Sequence, residues 1–175
     1  LKIRFSIEAM LAEIDLSEVS DTNLSENAVK YDELRTFTPN QIKKIFGKKW
    51  PNLSNGIELV QSGRVIELSY QDLTVPEVGN TDLTRISHLY LEAKIEKNEP
   101  IIFSWNAKFG PIVVRQVGVD NGLTQFLTNG DESDKIFFQG SIKKNKIQTF
   151  FDYIIVGFEH IIPKGWDHIV FVLGL

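Results

Sequence analysis

The chain contains no cysteine, which excludes disulfides, thiolate metal sites and a cysteine nucleophile. That absence suits a reducing or an oxidising compartment equally. An excess of basic charge is also missing: 19 Lys and Arg stand against 23 Asp and Glu, for a net charge of -4. A basic field that would attract nucleic acid is therefore lacking, and no nucleic-acid partner is expected. Low-complexity linkers, internal repeats, GxSxG elbows, Walker loops and HExxH helices do not occur. Nothing in the spacing of Ser, Asp and His nominates a triad, so the chain is read as a non-enzyme.

What remains is ordinary material for a folded domain. At 175 residues and 42% hydrophobic composition, one well-packed core is affordable to the chain. The sequence opens on Leu1-Lys2-Ile3-Arg4-Phe5-Ser6-Ile7, whose apolar alternation reads as a strand. Without an initiator Met or a charged-then-apolar leader, the expectation is that the native amino terminus lies upstream. Charge is segregated along the chain. Glu8, Glu13, Asp15, Glu18, Asp21, Glu26, Asp32 and Glu33 make the first stretch acidic, while Lys43, Lys44, Lys48 and Lys49 follow without acids between them. Both stretches read as solvated faces.

Two short helices are predicted. In residues 26–35, Ala28, Tyr31 and Leu34 recur at helical spacing. The second begins at Thr38-Pro39-Asn40-Gln41, where Thr38 caps, Gln41 reaches back and Pro39 sits where its missing N–H costs nothing. Ile42, Ile45 and Phe46 form its buried face, and Gly47 is expected to close it.

From residue 56 to about 138 the pattern changes to short β-branched and aromatic runs separated by turn residues. Residues 57–60 and 65–70 flank Gln61-Ser62-Gly63-Arg64, and residues 113–119 and 123–127 flank Asp120-Asn121-Gly122, predicting two hairpins. Gly118 is expected at a bulge. Residues 86–95 and 101–105 supply further strands, with His88 on a strand face. The fold class predicted is mainly β: an antiparallel, sandwich-like domain with one or two short helices, followed by a truncated transmembrane helix.

The final stretch differs in kind. Residues 150–158 are nearly all apolar, and residues 169–175 run apolar to the last position. A membrane helix needs about 20 apolar residues, so these look like the first turns of a span; the other reading is a buried terminal strand or helix. The division expected is a β-rich domain over 1–147 and a membrane-proximal segment over 148–175. His160, Asp167 and His168 stand at the edge of that apolar segment, where ionisable groups are costly and serve a pathway, a ligand or a partner. Imidazoles with a carboxylate suit a borderline divalent metal such as nickel, zinc or cobalt. On one unbroken helix His160 and His168 would lie about 12 Å apart along the axis, too far to share an ion. Pro163-Lys164-Gly165 between them breaks such a helix and lets the chain turn back. Asp167 also fits a helix cap, His160 a helix end, and Trp166 a headgroup anchor.

The strings GFEHI, PKGWDH and VFVLGL, within residues 157–175, resemble the start of the first membrane helix in HupE/UreJ-type proteins that carry a sizeable extracytoplasmic domain. Agreement extends more thinly to YDELRTFTP and LTRISHLYLEA. The resemblance implies a bacterial membrane protein of divalent-metal, nickel-type permease or accessory function, supplying hydrogenase or urease, with residues 1–147 outside the cytoplasm. It implies the lipid bilayer and a transported Ni2+ or related ion as partners, and no firmly resident cofactor. The family pattern has five residues between its histidine and Asp-His; here six separate His160 from Asp167. One extra residue rotates a helical position by about 100°, so Asp167 and His168 carry over directly and His160 does not. Lys143, Lys144 and Lys146 precede the apolar segment, and the positive-inside rule taken alone would place them in the cytoplasm. An extracytoplasmic binding or assembly module that the membrane part merely anchors is the alternative.

Overall fold

The computed structural model describes residues 1–139. In chain order these form β1 (Lys2–Ser6), α1 (Ile7–Ala12), α2 (Ala28–Arg35), α3 (Pro39–Leu53), β2 (Ile57–Gln61), β3 (Arg64–Ile66), β4 (Leu68–Thr74), β5 (Ile86–Ala93), β6 (Ile101–Trp105), β7 (Ile112–Arg115) and β8 (Thr124–Leu127). Single 3-10 turns occupy Thr22–Leu24, Ser54–Gly56 and Ala107–Phe109. The domain is mainly β, and every strand pairing is antiparallel.

Three sheets result, ordered β1-β5-β4, β3-β2-β6 and β7-β8. Alternation decides which face each strand buries. Ile3 and Phe5 of β1, Leu89 and Leu91 of β5 and Leu73 of β4 turn inward from the first sheet; Ile57, Leu59, Phe103 and Trp105 do so from the second. The two sheets meet where the Phe5 ring stands edge-on to Trp105, with centroids 6.4 Å apart. Ile42 and Phe46 complete the core from α3.

The expected elements are recovered with instructive departures. α2 and the N-terminus of α3 lie where the spacing and capping residues placed them. Thr38 Oγ1 accepts from the Gln41 N–H while the Gln41 side chain accepts from the Thr38 N–H, a full capping box. Gly47 does not close that helix. α3 continues through Gly47 and Pro51 to Leu53 because Trp50, past the expected end, packs on Phe46 and Tyr70 with ring centroids 5.5 and 5.8 Å away. That burial outweighs the weak propensity of Gly and the lost Pro51 donor.

The described residues hold three α-helices rather than one or two, the addition being α1. Sequence reading carries β1 through Ile7, yet the chain turns helical there and all six residues of α1 are buried. With Glu8 its one polar residue, α1 has no polar face recurring at helical period to announce it.

The Ser62-Gly63 hairpin is present, with φ of 51° and 74° as a two-residue type I′ turn requires. Its second strand stops at Ile66, and after Glu67 the chain crosses to the other sheet as β4. The later hairpin has a wider loop than expected. β7 ends at Arg115, so Gly118 (φ 84°) and Asn121 (φ 55°) lie in the loop, and Gly118 marks no bulge. The register shift falls instead in β4, between Tyr70 and Asp72.

Among the described residues no helix is long and apolar enough to cross a membrane. The truncated transmembrane helix and the expected boundary at 147/148 lie outside the described residues.

Candidate functional site

His160, Asp167 and His168, the sequence-selected metal ligands, also lie outside the described residues. His88 is within them. It sits half-buried on β5, in register between Arg4 of β1 and Thr74 of β4. No group of three or more His, Asp or Glu is placed to hold a metal among the described residues.

The described domain carries two adjoining polar clefts of ≈ 340 and ≈ 350 Å³ that share Asn55, Gly56 and Asn106. The end of α3 supplies Asn52, and the 3-10 turn after it places Asn55 and Gly56. Gly56 packs closely, since a Cβ there would lie 2.5 Å from the Phe109 ring and one of the two would have to shift. Asn106 closes the seam: its N–H donates to Gly56 O at 2.9 Å and its Oδ1 accepts from the Lys108 N–H at 3.0 Å. In the first cleft Glu13 is bonded to the Lys49 ammonium and lies 3.8 Å from Lys30. The Lys49 hydrogen bond, then the charges of Lys49 and Lys30, hold the Glu13 carboxyl below the usual carboxylate range. The second cleft is lined by Glu58, Ser104 and Glu132, neighbours across three chain segments because Ser104 pairs with both acids. Neither cleft is lined by histidine. Their chemistry is that of amide and carboxylate groups able to hydrogen-bond a polar ligand.

Apart from Glu8, the acidic and basic stretches are solvated as expected, with every other named residue exposed or half-exposed. They touch where Lys49 bonds Glu13; Lys30, within the acidic stretch, lies 3.8 Å from the same carboxylate, and Lys43 lies 3.6 Å from Asp72 of β4. The clearest correction is Glu8, whose side chain is 0% exposed. Arg85 reaches it with Nε at 2.6 Å from Oε1 and donates the rest of its fork to the carbonyls of Phe37, Pro76 and Leu34. Sequence reasoning missed this pair because the partners are far apart along the chain. The one available signal was Glu8 inside the apolar run Ile7, Ala9, Met10, Leu11. At the aromatic cluster, burial and then the Asp72 charge push the Tyr70 hydroxyl pKa up.

Residues 137–175 match the model of a family described as HupE / UreJ protein. The match takes in GFEHI, PKGWDH and VFVLGL and bears out the resemblance drawn from them; YDELRTFTP and LTRISHLYLEA lie before it. No curated protein and no solved structure gives a significant match.

Proposed function

Starting from a chain that carries a HupE/UreJ protein segment, we propose that it is part of a bacterial divalent-metal permease or permease accessory of nickel type. The observation carrying this reading is the family match over residues 137–175, which contains an acid and an imidazole, Asp167-His168, where an apolar run begins. Asp167 and His168 would meet the ion at its entrance, with His160 as a further ligand if the chain turns back at Pro163-Lys164-Gly165. The ion is cargo, and no reaction step is assigned to the chain, which acts as a non-enzyme. Nickel or cobalt accumulation by cells carrying the full-length gene tests the reading. Asp167→Asn with His168→Ala is expected to abolish uptake at unchanged protein level, and unaltered uptake would overturn it.

The β-rich domain is proposed to lie outside the cytoplasm, ahead of the bilayer. Ser62 is exposed at the tip of the β2–β3 turn and suits a topology probe. Ser62→Cys in intact cells is expected to react with a membrane-impermeant maleimide, whereas protection until lysis places the domain inside. A second reading, an anchored binding or assembly module without transport, draws on the two polar clefts of the described domain. Normal metal uptake by a chain whose clefts are blocked by Asn55→Trp would separate transport from such binding.

A further inference from the structure

The groove beside β7 is apolar and edged by strands. Its volume is ≈ 350 Å³, and Ile3, Leu59, Ile101, Phe103, Ile112 and Val114 supply its walls. Side chains alternate along a strand, so a cavity on one face of it meets every second residue. This groove instead meets Leu1, Lys2 and Ile3 in succession, and residues 112–117 in succession. It therefore sees β1 and β7 from their edges. Among the described residues β1 pairs only with β5, and β7 only with β8.

The ladder identifies which backbone groups those edges present. Gln116 N–H donates to Leu123 O at 2.7 Å, making 116 and 123 a hydrogen-bonded pair. Two-residue alternation then turns the N–H and C=O of Ile112 and Val114 toward β8, and those of Val113 and Arg115 away from it, along the edge that pairs with no strand among the described residues. The same count from the Leu1 and Leu91 pair turns the backbone of Lys2 outward on β1. Among the described residues, charge along the groove is of one sign: Lys2 and Arg115 are its ionised side chains, and no acid lines it. The Lys2 ammonium rests over the Tyr90 ring at 5.6 Å, and Arg115 makes no ion pair among the described residues.

The geometry points to strand addition: β7 accepts an extended segment of a partner protein, antiparallel to it, with apolar residues at alternate positions and an acid opposite Arg115. The partner backbone would bond Val113 and Arg115, its apolar side chains would fill the groove beside Ile112 and Val114, and its carboxylate would meet the guanidinium. An acyl chain would satisfy the walls but leave the edge amides and carbonyls unpaired, so a strand is the better complement. This inference concerns the β-rich domain alone and goes beyond the permease reading, so uptake assays and the following test fail independently.

The probe is an acetylated, amidated hexapeptide with valine at alternate positions, threonine between them and one aspartate near its amino end, titrated into the full chain in phospholipid nanodiscs. Backbone amide NMR shifts at Val113 and Arg115 are expected to saturate with it. Val113→Pro removes an outward N–H that β8 does not use and is expected to abolish binding while the β8 amides keep their shifts. Arg115→Glu is expected to weaken the aspartate peptide about tenfold and to favour its lysine counterpart. Absence of saturable shifts, equal binding to Arg115→Glu, or occupation of the groove by sodium oleate with the peptide silent would each overturn the proposal.

Discussion

Arg85 Nε donates to Glu8 Oε1 at 2.6 Å across 77 positions of sequence, with the two side chains 8% and 0% exposed. The bond ties α1 to the loop ahead of β5, and the rest of the guanidinium fork holds the last turn of α2 and the chain just after it through the Leu34 and Phe37 carbonyls. Glu8 Oε2 has no hydrogen-bond partner, so the carboxylate depends on this one cation. Removing one member of such a pair strands the other in a low-dielectric interior, which costs about 3–5 kcal/mol. Arg85→Met is expected to lose that much stability in urea unfolding followed by tryptophan fluorescence. Glu8→Leu combined with Arg85→Met should recover most of it, and a double variant no more stable than the single would refute the account.

Glu13 links the acidic and basic stretches electrostatically. Its carboxyl pKa is lowered below 4.5 by the Lys49 hydrogen bond, then by the charges of Lys49 and Lys30. A carboxyl depressed in the folded state stabilises above its unfolded pKa, and that contribution is lost as pH falls through the folded value. The loss therefore falls below pH 4.5. Since the Glu13 side chain is 64% exposed, solvent screening keeps the contribution under about 1 kcal/mol. Glu13→Gln should flatten the stability profile in that window and leave its shape unchanged above pH 6, as read by denaturant midpoints from pH 3 to 7.

The β2–β3 turn allows a test of opposite sign. Gly63 has φ 74° with open space around a notional Cβ, so Gly63→Ala meets backbone strain alone and should cost about 1 kcal/mol. Ser62 holds φ 51°, a conformation asparagine tolerates better than serine. Ser62→Asn is expected to raise the thermal midpoint by a few degrees, and a lowered midpoint would contradict the type I′ assignment.

At the seam of the two clefts the constraint is packing rather than torsion. A Cβ on Gly56 would sit 2.5 and 2.7 Å from two atoms of the Phe109 ring. Gly56→Ala should cost about 1–3 kcal/mol by overpacking, and Phe109→Leu in the same chain should restore part of the loss. Full tolerance of the single substitution in thermal melts would show that the ring is free to move aside.

Much of this organisation is legible in residue order because it is local. Thr38 and Gln41 specify a helix start through their own hydrogen bonds, Ser62-Gly63 specifies a turn through allowed torsions, and alternation in β1, β2, β5 and β6 specifies the buried faces. The match of residues 137–175 to the HupE / UreJ family model is equally a matter of residue order, and it takes in the strings read within residues 157–175. Tertiary structure decided the rest. α3 outlasts Gly47 because Trp50 finds Phe46 and Tyr70; α1 is helical with all six of its residues buried; Glu8 leaves solvent because Arg85 arrives from a distant loop. Each of those outcomes depends on which distant surfaces meet, and the free energy of burial and ion pairing between them exceeds the fraction of a kcal/mol to about 1 kcal/mol by which local propensities differ.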